Sequence, residues 1–239
     1  MKTAFVTGGS RGIGACVVRA LCQAGVRVAF TYCHSKEKAL ALQQETGAKA
    51  FCCDVTNSDA LTHTIAHVLT EFRHIDFFIH SAGIAQQALF HTITDPQWNT
   101  MQDTHVSSAF YASRALLPSM ISQKYGRIIF ISSIWGQVGA SCEVHYSTAK
   151  AGLIGMTKAL AKEVAPSGVT VNCVCPGVIV TDMLSTFSEE DLQTLAAETP
   201  VGRLGTPQEV AHAVCFFVDD ASSFITGQVL SVDGGFASV

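Results

Sequence analysis

The amino-acid sequence predicts an α/β fold, a doubly wound sheet of about seven parallel strands in a single domain with helices on both faces. Three observations predict it. Short β-branched and aromatic runs alternate with longer stretches whose apolar residues recur every three or four positions, the pattern of strands alternating with helices. The strand runs are almost continuously apolar, as in Phe77-Phe78-Ile79, which a sheet covered on both faces requires. The 239 residues, 48% hydrophobic and 14% charged, suffice for one large core and are too apolar for a disordered chain.

In chain order the strands are expected at 3–7, 26–32, 48–53, 75–80, 127–131, 170–174 and 229–232. The helices between them are expected at 13–24, 36–45, 60–72, 97–123, 147–165 and 207–217, each carrying apolar residues at helical spacing, as Leu61, Ile65, Val68 and Phe72 do in the third. No linker, repeat or long charge run divides the chain, so residues 1–239 read as one domain. The one irregular stretch, 176–205, lacks a strand and holds a short helical piece at 189–197, with Ser188 as its N-cap. It follows a strand, and ligands of such sheets sit beyond the carboxyl ends of the strands, so it is a candidate substrate lid.

A formal charge of −4, from 15 basic against 19 acidic side chains, supplies no positive field for nucleic acid. The apolar runs stop well short of the roughly 20 residues of a membrane span. The first residues enter a strand directly and show no secretory leader. Nine scattered cysteines with no CxxC and no zinc-ligand spacing argue against a disulfide framework or a metal site and fit a reducing cytoplasm.

Between the first strand and the first helix stands Thr7-Gly8-Gly9-Ser10-Arg11-Gly12-Ile13-Gly14. Glycines there permit a tight turn and let backbone N–H groups approach a pyrophosphate at the helix N-terminus. The spacing, Gly-x-x-x-Gly-x-Gly, departs from the common dinucleotide fingerprint. A cofactor with a free ribose 2′-hydroxyl is usually held by an acid at the end of the second strand. Here that place reads Thr31-Tyr32-Cys33-His34-Ser35, with no carboxylate between Gly14 and Glu37. Arg11 and Lys36 stand where a 2′-phosphate would lie, which favours NADP(H); Lys36 is otherwise a solvated lysine at a helix start.

Tyr146 and Lys150 are four apart in an apolar helix and share one face. A phenol near pKa 10 needs a neighbouring cation to exchange its proton near neutrality, and Lys150 supplies one. Ser133, at the end of the strand at 127–131, can hydrogen-bond a substrate oxygen to which Tyr146 donates a proton.

This ordered set resembles the short-chain dehydrogenase/reductase family over nearly the whole chain. The resemblance implies a Rossmann-like domain, a cofactor loop at Thr7 to Gly14, an adenine contact at Asp54-Val55, and catalytic Ser133, Tyr146 and Lys150, with Lys150 also on the nicotinamide ribose. Pro176-Gly177-Val178-Ile179-Val180-Thr181 resembles the segment that holds the nicotinamide carboxamide. Two departures stand out. His80-Ser81-Ala82-Gly83 replaces the family's usual Asn-Asn-Ala-Gly, and His105 replaces a helix Asn that anchors a proton-relay water. With an unperturbed pKa near 6.5, His105 either holds a water or relays a proton with a changed pH profile, or merely fills the space.

The C-terminal third resembles the 3-oxoacyl-(acyl-carrier-protein) reductases. The run from Ser132 to Tyr146, with His105, resembles more narrowly the bacterial branch that reduces a 5-aminopentanone group on elongation factor P. The resemblance therefore implies a carbonyl substrate carried by a protein or thioester. On the elongation factor P reading Glu143 faces the substrate ammonium; otherwise it is a solvated loop carboxylate. The family further implies a homotetramer or homodimer built on the helices at 97–123 and 147–165. A dinucleotide-binding regulator without turnover and an NAD-linked dehydrogenase are the alternatives.

Overall fold

The computed structural model describes residues 1–184 and 187–237. Seven strands, β1 (Thr3–Thr7), β2 (Arg27–Tyr32), β3 (Lys49–Cys52), β4 (Phe77–His80), β5 (Gly126–Ile131), β6 (Val169–Pro176) and β7 (Val229–Val232), form one sheet in the order β3-β2-β1-β4-β5-β6-β7. Every pairing between them is parallel. The helices are α1 (Gly12–Gln23), α2 (Lys36–Thr46), α3 (Ser58–Phe72), α4 (Asp95–Gln102), α5 (Ser108–Gln123), α6 (Trp135–Val138), α7 (Val144–Val164), α8 (Glu189–Glu198) and α9 (Pro207–Val218). No described helix is long and apolar enough to cross a membrane.

Successive strand residues point to opposite faces, and the two faces bury separate cores. Phe5, Phe78 and Phe130 pack with Leu61 and Ile65 of α3, Leu116 of α5 and Leu153 of α7. Val6, Phe30 and Ile79 pack on the other side with Val17 of α1, Leu42 of α2 and Val214 of α9. Each fully buried aromatic or branched side chain of this kind contributes about 1.5–3 kcal/mol relative to exposure. Because β1, β5 and β6 are buried along their whole length, their apolar runs show no in-out alternation. The strand order turns back between β1 and β4, and the carboxyl ends of those two strands open the crevice in which such sheets bind ligands.

The long helix expected at 97–123 is two helices. It begins earlier, at Asp95, because Thr94 accepts from the Gln97 N–H while the Gln97 side chain accepts from the Thr94 N–H at 2.9 Å, a reciprocal cap. It is then interrupted by a π turn, Asp103–Ser107, before α5 continues. The extra residue of a π turn rotates the following face and frees backbone groups from the helical ladder, which an apolar repeat does not register. The helix expected from 147 starts at Val144, so Tyr146 lies in its first turn. Short α6 was not expected.

In the stretch at 176–205, Pro176 ends β6, an isolated bridge pairs Ile179 with Gly205, and α8 is capped as predicted by Ser188, whose hydroxyl accepts from Asp191 N–H. Residues 185 and 186 of that stretch lie outside those described.

At the opposite, amino end of the sheet, Asp76 pins β1 to the start of β4. Its Oδ2 accepts from Thr3 N–H at 2.7 Å and from the Thr3 hydroxyl at 3.1 Å, all buried. Asp76→Ala strands the buried Thr3 N–H, while the Thr3 hydroxyl keeps the His74 carbonyl at 2.8 Å, so the unfolding free energy should fall by about 1–3 kcal/mol; urea denaturation with an unchanged m-value checks it.

Candidate active site

The glycine loop reaches the sheet more closely than any side chain permits. A Cβ on Gly8, which has φ +67°, would lie 2.6 Å from the Ala82 backbone, and one on Gly14 would lie 2.2 Å from the Gly8 carbonyl oxygen. The loop can therefore fold against the turn after β4 and feed α1 only with glycines at these places. Arg11 occupies the N-cap of α1 without a side-chain cap, and the first turn holds no acid. The free N–H groups and positive end of the helix face the crevice. These features fit the pyrophosphate of a dinucleotide.

The crevice is a cleft of about 770 Å³. Of the residues that the sequence pointed to, Gly8, Ser10, Arg11, Gly12, Ile13, Gly14, Tyr32, Asp54, Val55, Ser81, Ala82, Gly83, His105, Ser133, Tyr146, Lys150, Pro176, Gly177, Ile179 and Thr181 all line it. Glu143 lines it too. Lys36 does not: it is exposed at the start of α2, outside the lining. Lys38, roughly 200° further round the helix, is also outside the lining but reaches Asp182, which belongs to it. The sequence reading missed both residues, because their partnership spans 144 positions and neither belongs to a motif.

Lys150, only 5% exposed, comes from α7 and reaches the end of β5, where its Nζ donates to the Ile131 carbonyl at 2.9 Å. Ser132 locks the helix in place by donating to the Lys150 carbonyl at 2.8 Å. Burial lowers the Lys150 pKa to about 8, since desolvation disfavours the ammonium. Its Nζ stands 5.4 Å from the centre of the Tyr146 ring. Burial holds the Tyr146 phenol well above its usual range, so Tyr146 carries its proton, and Ser133 lines the same cleft. Ser133 accepts from Trp135 N–H at 3.1 Å, which fixes its rotamer at the start of α6.

The two histidines that depart from the family pattern form one buried assembly. The Thr7 hydroxyl donates to His80 Nδ1 at 2.8 Å, and its oxygen accepts from Ser81 N–H and Ala82 N–H. His80 Nε2 then donates to the His105 carbonyl, at 3.1 Å, in the π turn. Desolvation takes the His80 pKa down to about 3, so the ring is a neutral strut. His105 Nε2 lies 2.9 Å from the Ile84 carbonyl, which assigns it the proton and leaves Nδ1 without a partner. The ring stands edge-on to Tyr146 with centroids 5.5 Å apart. Burial holds His105 well below the ordinary imidazole range, so its ring is neutral.

The His105 ring also explains Gly83. A Cβ there would come 2.6 Å from His105 Cε1, nearer than Cβ atoms approach. Gly83→Ala should therefore cost about 1–3 kcal/mol in the parent protein through overpacking and less beside His105→Ala. Chemical unfolding of the two single variants and the double variant measures that coupling.

A protein-family model described as enoyl-(acyl carrier protein) reductase matches residues 8–237. An acetoacetyl-CoA reductase of Rhizobium meliloti is 43% identical over 98% of both chains. A 3-oxoacyl-(acyl-carrier-protein) reductase of Escherichia coli is 39% identical over 100% of this chain and 98% of its own. Among solved structures, a doubly substituted short-chain dehydrogenase/reductase of Serratia marcescens superposes with a TM-score of 0.92 at 33% identity, covering 99% of this chain and 98% of that one. Matched from end to end by reductases of this kind, and sharing their fold, the chain belongs to the short-chain dehydrogenase/reductase family and is an oxidoreductase.

Proposed function

We propose that the chain is an NADPH-dependent reductase that converts a ketone to a secondary alcohol, with Ser133, Tyr146 and Lys150 at the reacting carbonyl. The observation that carries this reading is a protonated Tyr146, backed by the Lys150 ammonium and sharing its cleft with Ser133 and the uncapped N-terminus of α1. When bound, the nicotinamide supplies a hydride to the carbonyl carbon. Ser133 holds the carbonyl oxygen by a hydrogen bond, and Tyr146 gives that oxygen its proton. The phenolate left behind is stabilised by Lys150. Gly8, Ser10, Gly12, Ile13 and Gly14 cradle the pyrophosphate, and Arg11 receives the 2′-phosphate. Tyr32, Asp54 and Val55 border the adenosine, Ser81, Ala82 and Gly83 its ribose side, and Pro176, Gly177, Ile179 and Thr181 the carboxamide. His105 keeps Tyr146 in place as a neutral wall.

The ketone we assign is an amine-bearing one, such as 5-aminopentanone on elongation factor P. Glu143, three positions before Tyr146, is half-buried at the cleft and desolvation raises its pKa. Its hydrogen bond is from the Gln87 amide at 3.3 Å, and it has no cationic partner among the described residues. An ammonium on the substrate would stabilise that carboxylate. A second reading, a 3-oxoacyl thioester, is favoured by the names of the two curated relatives. The chain would act in the cytoplasm as a homotetramer or homodimer through α5 and α7, where Phe110 and Val144 are exposed. The stretch at 176–205 would form the substrate side as a lid.

The test is NADPH oxidation with aminopentanone-modified elongation factor P and with acetoacetyl thioester, offered separately. Turnover of the modified protein alone supports the first substrate; brisk turnover of the thioester alone supports the second. Tyr146→Phe should abolish turnover on either, by about 10²-fold or more, while NADPH still binds. Binding without turnover on any ketone, in the parent protein, would make the chain a regulator instead.

The pH dependence has a definite sign. Lys150 loses its charge as pH rises through about 8, and with it the stabilisation of the phenolate. Ketone reduction should therefore be level below that point and decline above it, with no step near pH 6.5 from the neutral His105. A pH–rate profile of kcat/KM reads both features.

A further inference from the structure

Arg11 and Lys38 meet on a single oxygen. Arg11 Nη1 lies 3.8 Å from Asp182 Oδ2, and Lys38 Nζ donates to the same atom at 2.5 Å. The three residues come from the glycine loop, the first turns of α2 and the 3₁₀ turn Asp182–Leu184 that follows β6. Asp182 and Arg11 both line the cleft, on the side bordered by His34 and Ser35 after β2. Two cations converging on one oxyanion is also the arrangement a phosphate monoester takes.

We propose that Asp182 is a cofactor-specificity residue: in the cofactor-free protein its carboxylate occupies Arg11 and Lys38, the pair that receives the ribose 2′-phosphate. The inference rests on the NADPH reading above and adds Lys38 and Asp182 to it. The side chains are 46–58% exposed, so the ion pairs hold weakly and give way to a stronger anion. A phosphate carrying about −1.5 to −2 charges is such an anion. Asp182, left beside it, then repels it. NADH brings no anion to this place and leaves the three residues as they are. Asp182 therefore lowers NADPH affinity and leaves NADH affinity alone, acting through the two cations rather than by touching the reacting atoms.

Fluorescence titration of NADPH and NADH against the parent protein, Asp182→Asn, Lys38→Gln and the double variant tests this at low and moderate salt. Asp182→Asn should tighten NADPH by about three- to fivefold, as expected for relieving a surface charge contact, with NADH unchanged. The gain should shrink at moderate salt and in the Lys38→Gln background, and Lys38→Gln alone should weaken NADPH but not NADH. Equal changes for both dinucleotides, weaker NADPH binding to Asp182→Asn, or a gain undiminished without Lys38 would overturn the inference. A parent protein that binds NADH more tightly than NADPH would instead overturn the cofactor reading beneath it, however the variants rank.

Discussion

The cleft is organised around an ammonium held where burial opposes its charge. Lys150 sits at the carboxyl end of β5, donates to the Ile131 carbonyl, and is fixed from behind by Ser132, which donates to its own carbonyl. A buried cation of this kind is tolerable only with acceptors aimed at it. The end of a parallel strand supplies one, because its last carbonyls point out of the ladder. That requirement sets how deeply α7 descends on the sheet, and so where Tyr146, one helical turn before Lys150, presents its hydroxyl. Ser133 follows in the same strand-to-helix turn as Ser132, so the three side chains are positioned by one joint between β5 and α7.

A second joint lies between β1 and the π turn. Thr7 and His80 are register partners across β1 and β4, and His80 carries the connection onward to the His105 carbonyl. The π turn leaves that carbonyl able to accept a bond from outside the helix. Neutral imidazole suits the role, since one ring nitrogen accepts from Thr7 and the other donates to the carbonyl. The helix that carries His105 is thereby tied to the strand end beside the glycine loop. Where the family pattern has amides, this chain spans the same gap with rings, and Gly83 makes room for one of them.

The fold was legible because its signals are local. Strand runs, helical spacing and the Ser188 cap each lie within a few residues, and all seven strands appear near their expected places. The cofactor loop was legible for the same reason, as was the four-residue spacing of Tyr146 and Lys150. What escaped depends on cancellation or distance. A π turn changes the phase of a helix without changing its composition, so 97–123 read as one element. The Thr94 cap was overlooked because the apolar repeat starts after it. Lys36 and Lys38 are indistinguishable in a sequence; only the rotation of α2 against the cleft separates them. The pKa of His105 depends on burial that no motif records.

Charge is distributed unevenly along the cleft, and this gives it a direction. Arg11, the N-cap of α1, and Lys38 of α2 meet on Asp182, at the positive end of α1. Glu143, three positions before Tyr146, lines the same cleft and has no cationic partner among the described residues. A polyanionic dinucleotide is favoured at one end and an ammonium at the other, so on the proposed reading neither molecule gains by entering in reverse. On the proposed reading, the field near Arg11 favours one dinucleotide over the other, and the half-buried Glu143 carboxylate favours an amine-bearing ketone. A thioester draws nothing from Glu143, whereas an aminoketone relieves a carboxylate that burial has left undersolvated.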